Sequence, residues 1–102
     1  MPLTMRQLEL GIDQQTERLM RKLVEFLQEH ADEAYSLDEL WRQEFGEPAP
    51  ARYWAVDLSF DCQRFVRALD VLSVRGVLES RYLPGGHYYA IGDAPLQDLL
   101  SA

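Results

Sequence analysis

His30, Cys62 and His87 are the side chains of this 102-residue sequence with the widest chemical range. Imidazoles and a thiol hold metals or act as bases and nucleophiles when they cluster at short, fixed spacings. These three do not cluster: they fall at an expected helix end, on an apolar stripe and in an expected hairpin. On that stripe Cys62 behaves as a small hydrophobe, and no histidine stands at a spacing that would make it half of a Cys-His pair. Gly85-Gly86 leads into no lysine-bearing helix, so it is a turn and not a phosphate cradle. Asp32, Glu33, Asp38, Glu39, Glu44 and Glu47 read as a solvated acidic face rather than a catalytic carboxylate pair. An enzyme is therefore not expected, nor a metal or cofactor.

What remains is a set suited to recognition. Gln63, Arg64 and Arg67 share the outer face of a helix expected from Phe60, Arg75 sits in its last turn, and Arg81 and His87 flank the hairpin that follows. Glutamine can bond an adenine edge, arginine can take guanine bidentately, and arginines on a hairpin can meet phosphate. The simpler reading is that Arg64 and Arg67 pair with Asp61 and Asp70, each three residues away, as ordinary surface ion pairs. Val71 and Val74 are expected on that same outer face, which favours a more apolar partner or packing by the hairpin.

These residues depend on a short run of elements. At about 100° per residue, Cys62, Phe65, Val66, Leu69 and Leu72 form one buried stripe of a helix. Gly76 supplies its left-handed stop. Val77 to Tyr82 and His87 to Ile91 are β-prone, and Leu83-Pro84-Gly85-Gly86 carries the residues of a tight reversal. Helix, "VRGVLESR", a glycine-bearing turn and "HYYAI" together resemble the recognition helix and wing of the winged helix-turn-helix superfamily. The resemblance implies a mainly α fold with a small β-hairpin, a winged helix-turn-helix domain with an N-terminal helical extension. It also implies a DNA-binding regulator that lays the Gln63 to Arg67 face in a major groove of double-stranded DNA while Arg81 and His87 approach the backbone. Dimerisation through terminal helices is common in that superfamily. Because it also includes modules that bind only proteins, an acidic protein-interaction module is the alternative.

The flanking segments fit this arrangement. Met5, Leu8 and Ile12, then Leu19, Leu23 and Phe26 or Leu27, recur at helical spacing after a Thr4/Gln7 capping box. Gly11 and Gln14-Gln15 interrupt the stripe. Residues 1–15 therefore form either a short arm ahead of a helix from near Thr16, or part of one helix of roughly 27 residues. Met5, Leu8 and Ile12 on the arm are candidates for a homodimer interface, or else fold back on their own core. Ser36 and Glu39 make a second capping box, opening a helix from Leu37 to Phe45 that Gly46 ends. Its buried side is Leu37, Leu40, Trp41 and Phe45 or Glu44. Tyr35 lies where a first short strand would pair with the wing.

Residues 47–58 depart from the superfamily's tight turn, being long and proline-bearing. Tyr53 and Trp54 there either cap the core or form an exposed aromatic patch for a protein or ligand. The domain proper is expected over residues 16–92. Residues 93–102 form a short helical tail, with Asp93 as N-cap and Leu96, Leu99 and Leu100 as its apolar face.

Charge opposes the DNA reading. The chain carries −7 at neutral pH, the wrong sign for holding a polyanion. The deficit is uneven: residues 1–51 balance to −6, residues 52–92 to +1 and residues 93–102 to −2. One cysteine allows no intrachain disulfide, no stretch has the length and apolarity of a membrane span, and the start has no signal-peptide pattern. The expected location is the cytoplasm, with no membrane partner.

Overall fold

A glycine settles whether the N-terminal region is one helix or two. In the computed structural model, which describes residues 2–48 and 60–101, Gly11 takes the left-handed φ of 72° and ends α1 (Met5–Leu10). That conformation is nearly free of steric cost only without a Cβ. The Thr4 hydroxyl accepts the Gln7 amide at 3.0 Å, and the Gln7 side-chain oxygen accepts the Thr4 amide at 2.9 Å, closing the expected capping box. A second helix, α2 (Gln14–Glu29), starts at an Asp13 N-cap. Its carboxylate accepts the Thr16 amide at 2.7 Å and the Thr16 hydroxyl at 2.6 Å.

The rest of the chain is β1 (Tyr35–Ser36), α3 (Leu37–Phe45), α4 (Phe60–Val74), β2 (Leu78–Leu83), β3 (Gly86–Ile91) and α5 (Leu96–Ser101). Ser36 and Glu39 form the second capping box, and Gly46, with φ 73°, ends α3. The three strands make one antiparallel sheet in the order β1-β3-β2. Tyr35 pairs with Tyr89, and the hairpin runs from Leu78↔Ile91 to Leu83↔Gly86 around Pro84-Gly85. The fold is thus mainly helical with a small three-stranded sheet. Residues 49–59, including Tyr53 and Trp54, lie outside the described residues.

The core is α2 against α4, closed by α3 and the sheet. Met20, Leu27, Leu40, Phe65, Leu69 and Leu72 are all at most 1% exposed, each contributing roughly 1.5–3 kcal/mol by burial. Cys62 is buried among them, and Val66 packs half-buried against them. Val71 departs from expectation: it is 6% exposed and belongs to the core, not to the outer face. The buried arc of α4 runs on through Ala68 to Val71, and Leu10, Ile12 and Leu99 from the N-terminal segment and α5 belong to the same core.

Ile12 is a second correction. At 4% exposure it is a core residue unavailable to a partner, whereas Met5 and Leu8 on the same arm are 70% and 62% exposed. The arm folds back on its own chain, and Arg6 Nε donates to the Leu99 carbonyl at 2.7 Å, joining α1 to α5. The tail helix opens at Leu96, past Pro95, so Asp93 precedes it without being its N-cap.

Behind α4 the backbone is tightly stapled. Gly76 (φ 80°) turns the chain and Val77 N–H reaches back to the Leu72 carbonyl at 2.9 Å. Gly92 N–H donates to the Val77 carbonyl at 2.8 Å and Ala94 N–H to the Gly76 carbonyl at 3.1 Å. A Cβ on Gly92 would meet the Val77 carbonyl carbon and oxygen at 3.0 Å and collide with the Gly76 oxygen. Only glycine fits there.

Candidate interaction surfaces

The outer face of α4 is where the recognition residues were expected, and the structure gives its arginines internal work. Arg64 Nε donates to Asp13 Oδ2 at 3.0 Å, and its Nη1 lies 3.9 Å from Asp61. Arg67 sends Nη2 to the Leu10 carbonyl at 2.8 Å and Nε to the Gly11 carbonyl at 3.2 Å, with Asp70 at 3.6 Å from its Nη1. The carbonyls it meets end α1, where helix geometry leaves acceptors unpaired and the dipole is negative. Two guanidiniums thus face three carboxylates and a helix C-terminus. The surface pairs with Asp61 and Asp70 are those the spacing suggested, while Asp13 was not foreseen.

Asp13 is held strongly in its charged form. Burial pushes its carboxyl upward, but the Thr16 hydroxyl and amide and the Arg64 guanidinium outweigh it and bring the pKa from 3.8 to about 2. Gln63, Arg64 and Arg67 line one groove of about 550 Å³ with Leu3, Leu8 and Phe60. Phe60 is 75% exposed, with the Arg64 guanidinium 5.8 Å from its ring centroid. Self-association through the arm would have to use Met5 and Leu8.

The hairpin residues lie elsewhere. His87 lines a separate cleft between α4 and the sheet, and Arg75 and Arg81 are exposed and line neither depression. Arg81 turns a guanidinium N–H onto the Ser80 carbonyl at 3.2 Å. His87 is the middle of an aromatic stack, 3.9 Å from Tyr82 and 4.5 Å from Tyr89 between ring centroids. Burial lowers its pKa, and its Nδ1 shares a hydrogen bond with the Tyr89 hydroxyl at 3.2 Å, the ring tautomer deciding which of the two donates. Burial, with Tyr82 and Asp70 adding to it, pushes the Tyr89 phenol up to about 12. The structure therefore unites Gln63, Arg64 and Arg67 but does not bring Arg75, Arg81 or His87 to them. The stack was readable in the sequence, since a Pro84-Gly85 loop sets Tyr82 opposite His87 and puts Tyr89 on the same strand face.

A further surface lies between α2 and α3. Phe26 and Tyr35 meet edge-on with centroids 5.0 Å apart, and Phe26 and His30 are 4.4 Å apart. Around them is a depression of about 450 Å³ whose walls carry Asp38 and Glu39. Burial and the neighbouring carboxylates of Glu33 and Glu39 raise the Tyr35 pKa above 10.0.

Among the described residues no group of three or more His, Cys, Asp and Glu converges as a metal site would, and no helix is long and apolar enough to cross a membrane. No family model, no curated protein and no solved structure matches the chain.

Proposed function

We propose that this chain is a winged-helix module that acts by binding protein and not by reading DNA. The order α2, β1, α3, α4, β2, β3 with the sheet order β1-β3-β2 supports the winged-helix reading. One observation carries the choice of partner. The arginines of the α4 outer face, Arg64 and Arg67, are satisfied by Asp13 and by the carbonyls of Leu10 and Gly11. A face that lies in a major groove must offer its cations to phosphates and base edges. Here those cations anchor the N-terminal arm, three carboxylates stand beside them, and the whole chain carries −7.

The test is a titration of ¹⁵N-labelled protein with mixed-sequence duplex DNA at low salt. The expected result is unmoved amides from Phe60 to Arg67 and through the hairpin. Salt-sensitive shifts at those amides, lost in an Arg64→Glu/Arg67→Glu variant, would restore the DNA-binding regulator.

A further inference from the structure

The groove between α2 and α3 has three properties that together define what it accepts. First, it has an aromatic lining: Phe26 from α2 and Tyr35 from β1 are both half-buried. Second, it continues past Phe26 and Gln43 into a smaller depression of about 250 Å³, walled by Glu25 and Glu29. Third, its charge is one-sided. Lys22 is held by Glu44 at 3.2 Å, which closes that end. The remaining lining charges are the carboxylates of Glu25, Glu29, Asp38 and Glu39 against Arg42 alone.

The carboxylates are also free to act on a partner. Glu25, Glu29 and Asp38 form no ion pair among the described residues, and Glu39 spends one oxygen on the Ser36 amide at 2.8 Å. A groove that pairs aromatic faces with carboxylates suits a planar cation. The guanidinium stacks flat on a ring and donates in a fork to carboxylate oxygens, whereas an ammonium, though also drawn to a ring face, is a compact charge that can do neither.

We propose that the α2–α3 groove docks an arginine-bearing basic segment of a protein partner, with an arginine guanidinium seated against Phe26 and Tyr35 and bonded to Asp38 and Glu39, and Glu25 and Glu29 meeting a further cation along the segment. This rests on the reading of the chain as a protein-binding module and names the chemistry of its partner.

The probe is a blocked tetra-arginine peptide added to the ¹⁵N-labelled full chain, with tetra-lysine and tetra-glutamate as comparisons. Saturable shifts are expected at Phe26, Tyr35 and Asp38 to Gln43, tighter for arginine than for lysine and absent for glutamate. Phe26→Leu keeps an apolar group of similar volume; it should weaken the arginine peptide about three- to tenfold and narrow its advantage over lysine. Glu25→Gln/Asp38→Asn should weaken both cationic peptides. Both variants leave the capping carboxylate of Glu39 in place. The assignment is overturned if the groove amides stay silent, if shifts spread equally to Asp61, Asp93 and Asp98, or if Phe26→Leu binds both peptides as the parent does. A silent groove overturns this assignment alone, because the duplex titration reads α4 and the hairpin.

Discussion

Asp13→Asn isolates the charge that ties the N-terminal arm to α4. Asparagine caps a helix as well as aspartate, so the acceptor for Thr16 is kept and only the ion pair with Arg64 is lost. Holding the carboxyl at about 2 instead of 3.8 corresponds at full value to about 2.4 kcal/mol at neutral pH, taking ~1.36 kcal/mol per pH unit. Part of that shift belongs to the Thr16 hydrogen bonds, which asparagine retains in weaker, uncharged form, and the side chains of Asp13 and Arg64 are 42% and 29% exposed, so with solvent screening the expected loss is about 1 kcal/mol. The folded pKa is depressed, so this stabilisation is fully present above the unfolded value of 3.8 and is lost as pH falls through about 2. Urea unfolding of parent and variant at constant ionic strength should therefore show a gap of about 1 kcal/mol near pH 7 that has narrowed by about pH 3. With Arg64→Gln completing a double-mutant cycle, the coupling should be about 0.5–1 kcal/mol. A gap that does not change with pH, or a coupling of zero, would refute the clamp and reopen the α4 face to other partners.

Four further outcomes are expected. Gly92→Ala places a methyl against the backbone of Gly76 and Val77, which cannot rotate aside, and should cost about 1–3 kcal/mol in chemical denaturation. Gly46→Ala, with open space around its Cβ position but φ 73°, should cost only about 1 kcal/mol. Ile12→Ala should lose about 2–4 kcal/mol as a core truncation, while Leu8→Ala on the exposed side of the same arm should stay within about 0.5 kcal/mol. In an ultraviolet titration of the tyrosines Tyr89 should ionise last, near 12. Its raised pKa means that its contribution to stability is intact below 10.0 and fades as pH rises through 12, and Tyr89→Phe should remove that final step.

The sequence carried the local grammar of the fold well. The capping boxes at Thr4/Gln7 and Ser36/Glu39 and the stop at Gly46 follow from side chains that act within a few residues of themselves, whereas the pairing of Tyr35 with the hairpin, 54 positions away, was expected only from the resemblance. The core stripe of α4 was legible for Cys62, Phe65, Leu69 and Leu72 because α2 covers that side. Val71 was not, because it lies off that stripe and is buried only by the tertiary packing around it. Arg64 and Arg67 were placed on the correct helix, but their partners Asp13, Leu10 and Gly11 lie more than fifty residues away. No periodicity encodes such a meeting. Ile12 shows the same limit, since its spacing with Met5 and Leu8 suits either a free arm or one folded home.

The bond from Arg6 to the carbonyl of Leu99 spans 93 positions. Joining residues so far apart in sequence carries a large loop-closure entropy unless the segments between them are already folded. While the chain is being translated, the clasp between α1 and α5 must wait until residue 99 has left the ribosome. Until then the amino-terminal helix is lashed down, among the described residues, through the buried Gln7, Leu10 and Ile12 and the clamp on α4.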